Sequence, residues 1–232
     1  DAYEVYGTQV QAEIRALLAS LPEPEAGSRK RILFVRAGSG YNATKAKTAE
    51  NNFVCAMLDE LGEPWFELRC LRNMSRHFDR LILPGGESTV QGRLLREEGM
   101  LTSLRKLIDE GMPVLGTCAG LILLAERVID EGGDDRSVRP ETHLGTMRVT
   151  VERNAYGRQL ASFHTTDEFA GIGAVPMTFI RAPRIVEVRE GAVELARVNG
   201  DIVAARDGNQ IGVAFHPELD NDPRIHEMFL AL

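Results

Sequence analysis

Up to Val128 the chain alternates short apolar runs with helix-length amphipathic stretches. Ile32-Leu33-Phe34-Val35, Trp65-Phe66-Glu67-Leu68, Arg80-Leu81-Ile82-Leu83 and Val114-Leu115-Gly116-Thr117 read as short strands of the kind buried on both faces of a parallel sheet. Residues 43–61, 90–96 and 101–110 read as helices, the first with Phe53, Met57, Leu58 and Leu61 on one face and Gly62 as its stop. A further helical stretch covers residues 121–128. Each strand-helix repeat adds a parallel strand. The pattern then changes: residues 129–141 are polar, carry Gly132-Gly133-Asp134-Asp135 and read as a mobile surface loop. Residues 147–153 alternate as a strand with Met147, Val149 and Val151 on one side. An antiparallel meander follows, with residues 193–198 and 202–205 flanking the hairpin signal Asn199-Gly200, and Asp207-Gly208 turning the next strand, which ends at Phe215. Residues 224–232 close as a helix. The expected fold is α/β, a three-layer sandwich with a mostly parallel central sheet and an antiparallel extension. Residues 1–30 contain a helix-like segment at 10–18, then Pro22, Pro24, Gly27 and Ser28. They are expected to be an amino-terminal extension and linker before the main domain at 31–232.

Composition narrows the class. At 232 residues the chain can bury a substantial single core, and 44% hydrophobic with 26% charged residues argues against disorder. A net charge of −7 argues against a nucleic-acid surface. No apolar run reaches membrane-span length and the amino end lacks a signal-peptide pattern, so a cytoplasmic location without membrane contact is expected. Cys55, Cys70 and Cys118 are odd in number and lack metal-ligand spacing, which fits a reducing compartment and no metal site. Cys55, in a helix, and Cys70, after a strand, are read as structural.

Cys118 differs from both. It stands between Gly116 and Gly120 at a strand-to-helix corner, where a tight turn is expected to hold the side chain strained and exposed, as in a nucleophile elbow. The helix start would favour thiolate and offer N–H groups to an oxyanion. The competing reading is a small buried residue in a turn. A thiolate attacking a carbonyl also needs a base, and His216 lies at a strand end in Phe215-His216-Pro217-Glu218, with Glu218 placed to orient the ring. Pro84-Gly85-Gly86 follows a strand at its carboxyl end, where ligands of open α/β sheets sit, although Pro-Gly-Gly also makes a plain turn.

Taken in order, Pro84-Gly85-Gly86-Glu87-Ser88, Gly116-Thr117-Cys118-Ala119-Gly120, Val151-Glu152-Arg153-Asn154-Ala155-Tyr156-Gly157-Arg158-Gln159, Phe179-Ile180-Arg181-Ala182-Pro183 and Phe215-His216-Pro217-Glu218-Leu219 resemble the class I (triad) glutamine amidotransferases. They are most similar to the glutaminase subunit of pyridoxal 5′-phosphate synthase. The resemblance implies a flavodoxin-like core and a Cys118-His216-Glu218 triad, with Gly86 and Ala119 as oxyanion donors. It implies that Gly86, Glu87, Ser88, Arg153, Ile180 and Arg181 contact L-glutamine, Arg153 at the α-carboxylate; by itself Arg153 also reads as a solvated strand-end residue. No cofactor is implied. The implied partner is a pyridoxal 5′-phosphate synthase subunit that accepts ammonia. The alternatives are a glutaminase serving another acceptor synthase and a non-catalytic scaffold of the same fold. Two departures stand out: the stretch before Ile32, which the family normally lacks, and Arg36-Ala37-Gly38-Ser39-Gly40-Tyr41-Asn42, which replaces a Gly-Leu-Gln-Gly-like segment and implies a differently shaped docking patch.

Overall fold

Strands β1 (Ile32–Val35), β2 (Trp65–Leu68), β3 (Arg80–Leu83) and β4 (Val114–Thr117) pair in parallel in the order β2-β1-β3-β4, as their unbroken apolar runs predict. The computed structural model describes residues 32–35, 49–129, 143–153 and 162–232. The expected helix at 10–18, the linker to residue 30, the segment 36–42, helix residues 43–48, the loop residues 130–141 and the stretch 154–160 lie outside the described residues.

Leu81, Ile82, Leu83, Val114 and Leu115 are fully buried, because helices cover the sheet. These are α1 (Ala49–Glu60), α2 (Ser88–Glu97), α3 (Leu101–Asp109), α4 (Ala119–Leu124) and α5 (Arg224–Leu230). In α3 the buried Leu101, Leu104 and Ile108 recur at helical spacing. The α1 face differs from the expected one. Val54, Met57 and Leu58 are buried with Leu61 packed beside them, while Phe53 is 45% exposed. The stripe centres on Val54, Leu58 and Leu61, and Phe53 falls outside it.

The predicted helix at 121–128 is also corrected. It ends at Leu124, where Ala125 turns to φ −56, ψ 133, and Ala125–Ile129 is strand β5. Parallel pairing of β5 with β6 (Met147–Glu152) overrides the helical propensity of Glu126 and Arg127. Met147, Val149 and Val151 are fully buried on β6, as the alternation predicts.

The extension contains more strands than the meander predicts. It includes β7 (Ser162–Phe169), β8 (Gly173–Ile180), β9 (Arg184–Val188), β10 (Ala192–Val198) and β11 (Asp201–Asp207). The last strand, β12 (Gln210–Val213), is antiparallel to β11 and parallel to β4, and so joins the two parts of the sheet. The β10–β11 turn has Asn199 at φ 52 and Gly200 at φ 91, the left-handed pair that a two-residue hairpin requires. Among the described residues no helix is long and apolar enough to cross a membrane. Register fixes where the site forms. Leu83 pairs with Gly116, and Val213 with Thr117, so β3, β4 and β12 release their chains side by side at one sheet edge.

Candidate active site

Cys118 occupies the first residue past β4 with φ 48 and ψ −100, a conformation that L-residues rarely adopt. Two glycines make the turn sterically feasible. A Cβ on Gly120 would lie 1.9 Å from Leu83 O, and one on Gly116 would lie 2.8 Å from Gly120 C. The strain matches the expectation, whereas the exposure does not: Cys118 is only 7% exposed. Its N–H is tied to Val213 O at 2.9 Å and Ile180 O approaches Sγ at 3.9 Å, so β12 and β8 enclose the elbow.

His216 reaches Cys118 from the end of β12. Its N–H donates to Thr178 O at 2.8 Å, anchoring the segment to β8. A file of rings braces the same junction, with Phe163 stacked on Phe179 at 4.4 Å and Phe179 against Phe215 at 5.4 Å. Glu218, in the 3-10 turn Pro217–Leu219, places Oε1 2.9 Å from His216 Nδ1, so Nε2 is the nitrogen left for Cys118. Burial opposes a charged ring here. The hydrogen bonds to Cys118 and Glu218, backed by their charges, outweigh it and raise the imidazole from 6.5 to about 10. His216 therefore holds a proton that it can hand to a leaving group.

Glu218 is itself buried, and its Oε2 has no hydrogen-bond partner among the described residues. Behind it lies His226 of α5, 1% exposed and pushed down to about 4 by burial against the opposing charge of Glu218. It is neutral at pH 7.

The loop after β3 forms the opposite wall. Gly85 packs on the His216 ring so closely that a Cβ there would lie 2.3 Å from Cε1. Gly86 follows at φ 128 and is exposed. The Glu87 carboxylate accepts from Thr89 N at 3.1 Å and Val90 N at 2.7 Å, so it caps α2. Ser88 is 4% exposed at the start of that helix. Arg153, just past β6, holds its guanidinium 3.3 Å and 3.4 Å from Thr89 Oγ1, over the first turn of α2. Arg181 is exposed in the turn after β8 at φ 43, beside Ile180.

The fold thus gathers Cys118, His216 and Glu218, with Glu218 bonded to the His216 ring and Cys118 helping to raise its pKa. Ala119 follows Cys118, Ile180 O approaches its Sγ and Gly85-Gly86 borders His216, while Arg153 lies over the start of α2 and Arg181 follows Ile180. Thr178, which grips the His216 backbone, and Gln91, which bonds the Pro84-Gly85 loop, were not singled out by sequence reasoning. Neither carries a local signal, since one is a strand residue and the other a helix residue. Among the described residues no three His, Cys, Asp or Glu side chains are grouped to hold a metal ion.

Residues 70–232 match the model of the SNO glutamine amidotransferase family. The chain is 53% identical over 174 residues to pyridoxal 5'-phosphate synthase subunit PdxT of Desulfitobacterium hafniense (strain Y51), across 75% of this chain and 83% of that protein. It is 50% identical over 177 residues to the subunit of the same name from Streptococcus pneumoniae serotype 4, across 75% and 88%. A glutamine amidotransferase crystal structure superposes with a TM-score of 0.73 at 36% identity, covering 86% of this chain and 97% of its own. With the Cys118 elbow and the His216-Pro217-Glu218 strand end both inside the matched region, and half of the aligned residues shared with such relatives, the chain belongs to the SNO glutamine amidotransferase family.

Proposed function

We propose that the chain is the glutaminase subunit of a pyridoxal 5′-phosphate synthase, hydrolysing L-glutamine to L-glutamate and ammonia for vitamin B6 biosynthesis. The observation that carries this reading is His216, only 2% exposed, with Nδ1 2.9 Å from Glu218 Oε1 and with Cys118 and Glu218 together raising its pKa to about 10. In this mechanism the Cys118 thiolate attacks the side-chain amide carbon of glutamine. The Gly86 and Ala119 N–H groups receive the oxyanion, and imidazolium His216 protonates the departing ammonia. The neutral ring then takes a proton from water, which cleaves the glutamyl thioester and releases glutamate. Glu218 holds the ring by Nδ1 throughout.

Arg153 is assigned to the substrate α-carboxylate, for which a guanidinium is the fitting partner. Glu87, Ser88, Ile180 and Arg181 are assigned to the surrounding glutamine pocket, Glu87 also capping α2. The chemistry calls for no cofactor. Ammonia protonates in water, which favours delivery within a complex, and the relatives named as synthase subunits support a pyridoxal 5′-phosphate synthase partner. Cys118 and Cys70 stand outside any disulfide, a state suited to the cytoplasm. The test is glutamate release by the chain alone and with the synthase subunit. Release that rises with the synthase is expected, and none under either condition would overturn the reading.

A further inference from the structure

Gln91 is a polar side chain on the buried face of α2. It is 3% exposed, and its Nε2 donates to Pro84 O at 3.2 Å and to Gly85 O at 3.0 Å. Both partners are pure acceptors, so the amide nitrogen faces the loop. Side chains on a helix lean toward its amino end, which is how a second-turn residue reaches back to the segment before the helix. Its Oε1 is buried without a hydrogen-bond partner among the described residues. That orphan carries a desolvation penalty that an apolar side chain of the same length would avoid.

The peptide that Gln91 holds is the one that matters for chemistry. A trans peptide is planar, with the carbonyl of one residue and the N–H of the next pointing in opposite directions. Gly85 O points at buried Gln91, so the Gly86 N–H points away from α2, toward the exposed side of the loop. Gly85 also lies against the His216 ring, which puts this peptide beside the Cys118-His216 pair. Between two glycines, one at φ 128, a peptide rotates with little steric resistance. The rotated form would turn a carbonyl oxygen, instead of an N–H, toward the place where negative charge develops.

We infer that Gln91 is a positioning residue for the oxyanion donor: its amide latches Gly85 O against α2 and thereby keeps the Gly86 N–H turned to the reacting carbonyl. This rests on the glutaminase reading above. The role differs from plain loop support because it acts on the transition state and leaves substrate binding alone.

Gln91→Met keeps the length of the side chain and removes the donor. Two rates are to be measured on the full chain in complex with the synthase subunit: steady-state glutamate release, and alkylation of Cys118 by iodoacetamide. Alkylation is displacement at a saturated carbon and forms no oxyanion, so it reports the thiolate and the fold of the elbow alone. The expected result is a kcat lowered roughly 10-fold or more, a KM for glutamine within about twofold, and alkylation at the wild-type rate. An active wild type matched in kcat by the variant would overturn the inference. So would a parallel fall in hydrolysis and alkylation, which would mark Gln91 as a structural residue. A wild-type complex that releases no glutamate would overturn the glutaminase reading and the inference with it.

Discussion

Replacing Gly85 by alanine drives a methyl group into the Cε1 edge of His216. The added Cβ would sit 2.3 Å from Cε1, 3.1 Å from Nδ1 and 3.4 Å from Nε2. Carbon atoms pack at about 3.5 Å or more, so the pair must separate by roughly 1.2 Å. Neither side yields freely. His216 is held by Thr178 O at its N–H and by Glu218 at Nδ1, and Gly85 O is held by Gln91. A displacement of about 1 Å at a reacting group costs on the order of 100-fold in rate, and overpacking costs about 1–3 kcal/mol of stability. The assay is steady-state glutamate release alongside the urea midpoint. Gly99→Ala is the control: at φ +70 with nothing within 4 Å, it strains only the backbone, so it lowers stability by about 1 kcal/mol and leaves kcat unchanged. A Gly85→Ala kcat within about twofold of wild type would refute the packing argument. An equal kcat loss in Gly99→Ala would assign the effect to destabilisation.

Two further outcomes follow from the site. Arg153→Ala should raise the KM for glutamine about tenfold or more with little change in kcat, since a contact remote from the amide serves ground and transition states alike; steady-state kinetics in which only kcat falls would move Arg153 into the chemistry. His226 is neutral when folded, with its value lowered from 6.5 to about 4, so its stability contribution is present above pH 6.5 and is lost as pH falls toward 4. Urea denaturation should show wild type losing about 2 kcal/mol more than His226→Leu between pH 7.5 and pH 5, and equal losses would contradict the buried neutral state.

What the sequence reveals depends on how local the determining contacts are. The runs at β3 and β4 and the stripe Leu101-Leu104-Ile108 are legible because each is buried whatever its neighbours do. The Asn199-Gly200 turn is legible because its left-handed φ values demand those residues. Residues 125–129 mislead because their strand state depends on pairing with Met147–Glu152, a partner 18 or more residues further along the chain. The β7–β8 hairpin gives little signal. Half-exposed β7 carries Thr165-Thr166-Asp167-Glu168, and β8 contains Pro176, which sits comfortably only because β8 ends the strand order. At the site, Cys118, His216 and Glu218 are legible because glycines and proline mark the turns that hold them. The burial of Cys118 is not, because it comes from Ile180 on β8, distant in sequence.

The central claim is that Cys118 is the nucleophile toward glutamine, and covalent capture tests it most directly. The chain, with its synthase subunit, is incubated with the glutamine analogue 6-diazo-5-oxo-L-norleucine, digested and mapped by mass spectrometry. The expected result is one adduct per chain on the Cys118 peptide, suppressed by excess glutamine, with Cys55 and Cys70 unmodified. Loss of glutaminase activity with Cys118 unmodified, or labelling of Cys55 or Cys70 that glutamine does not suppress, would contradict it.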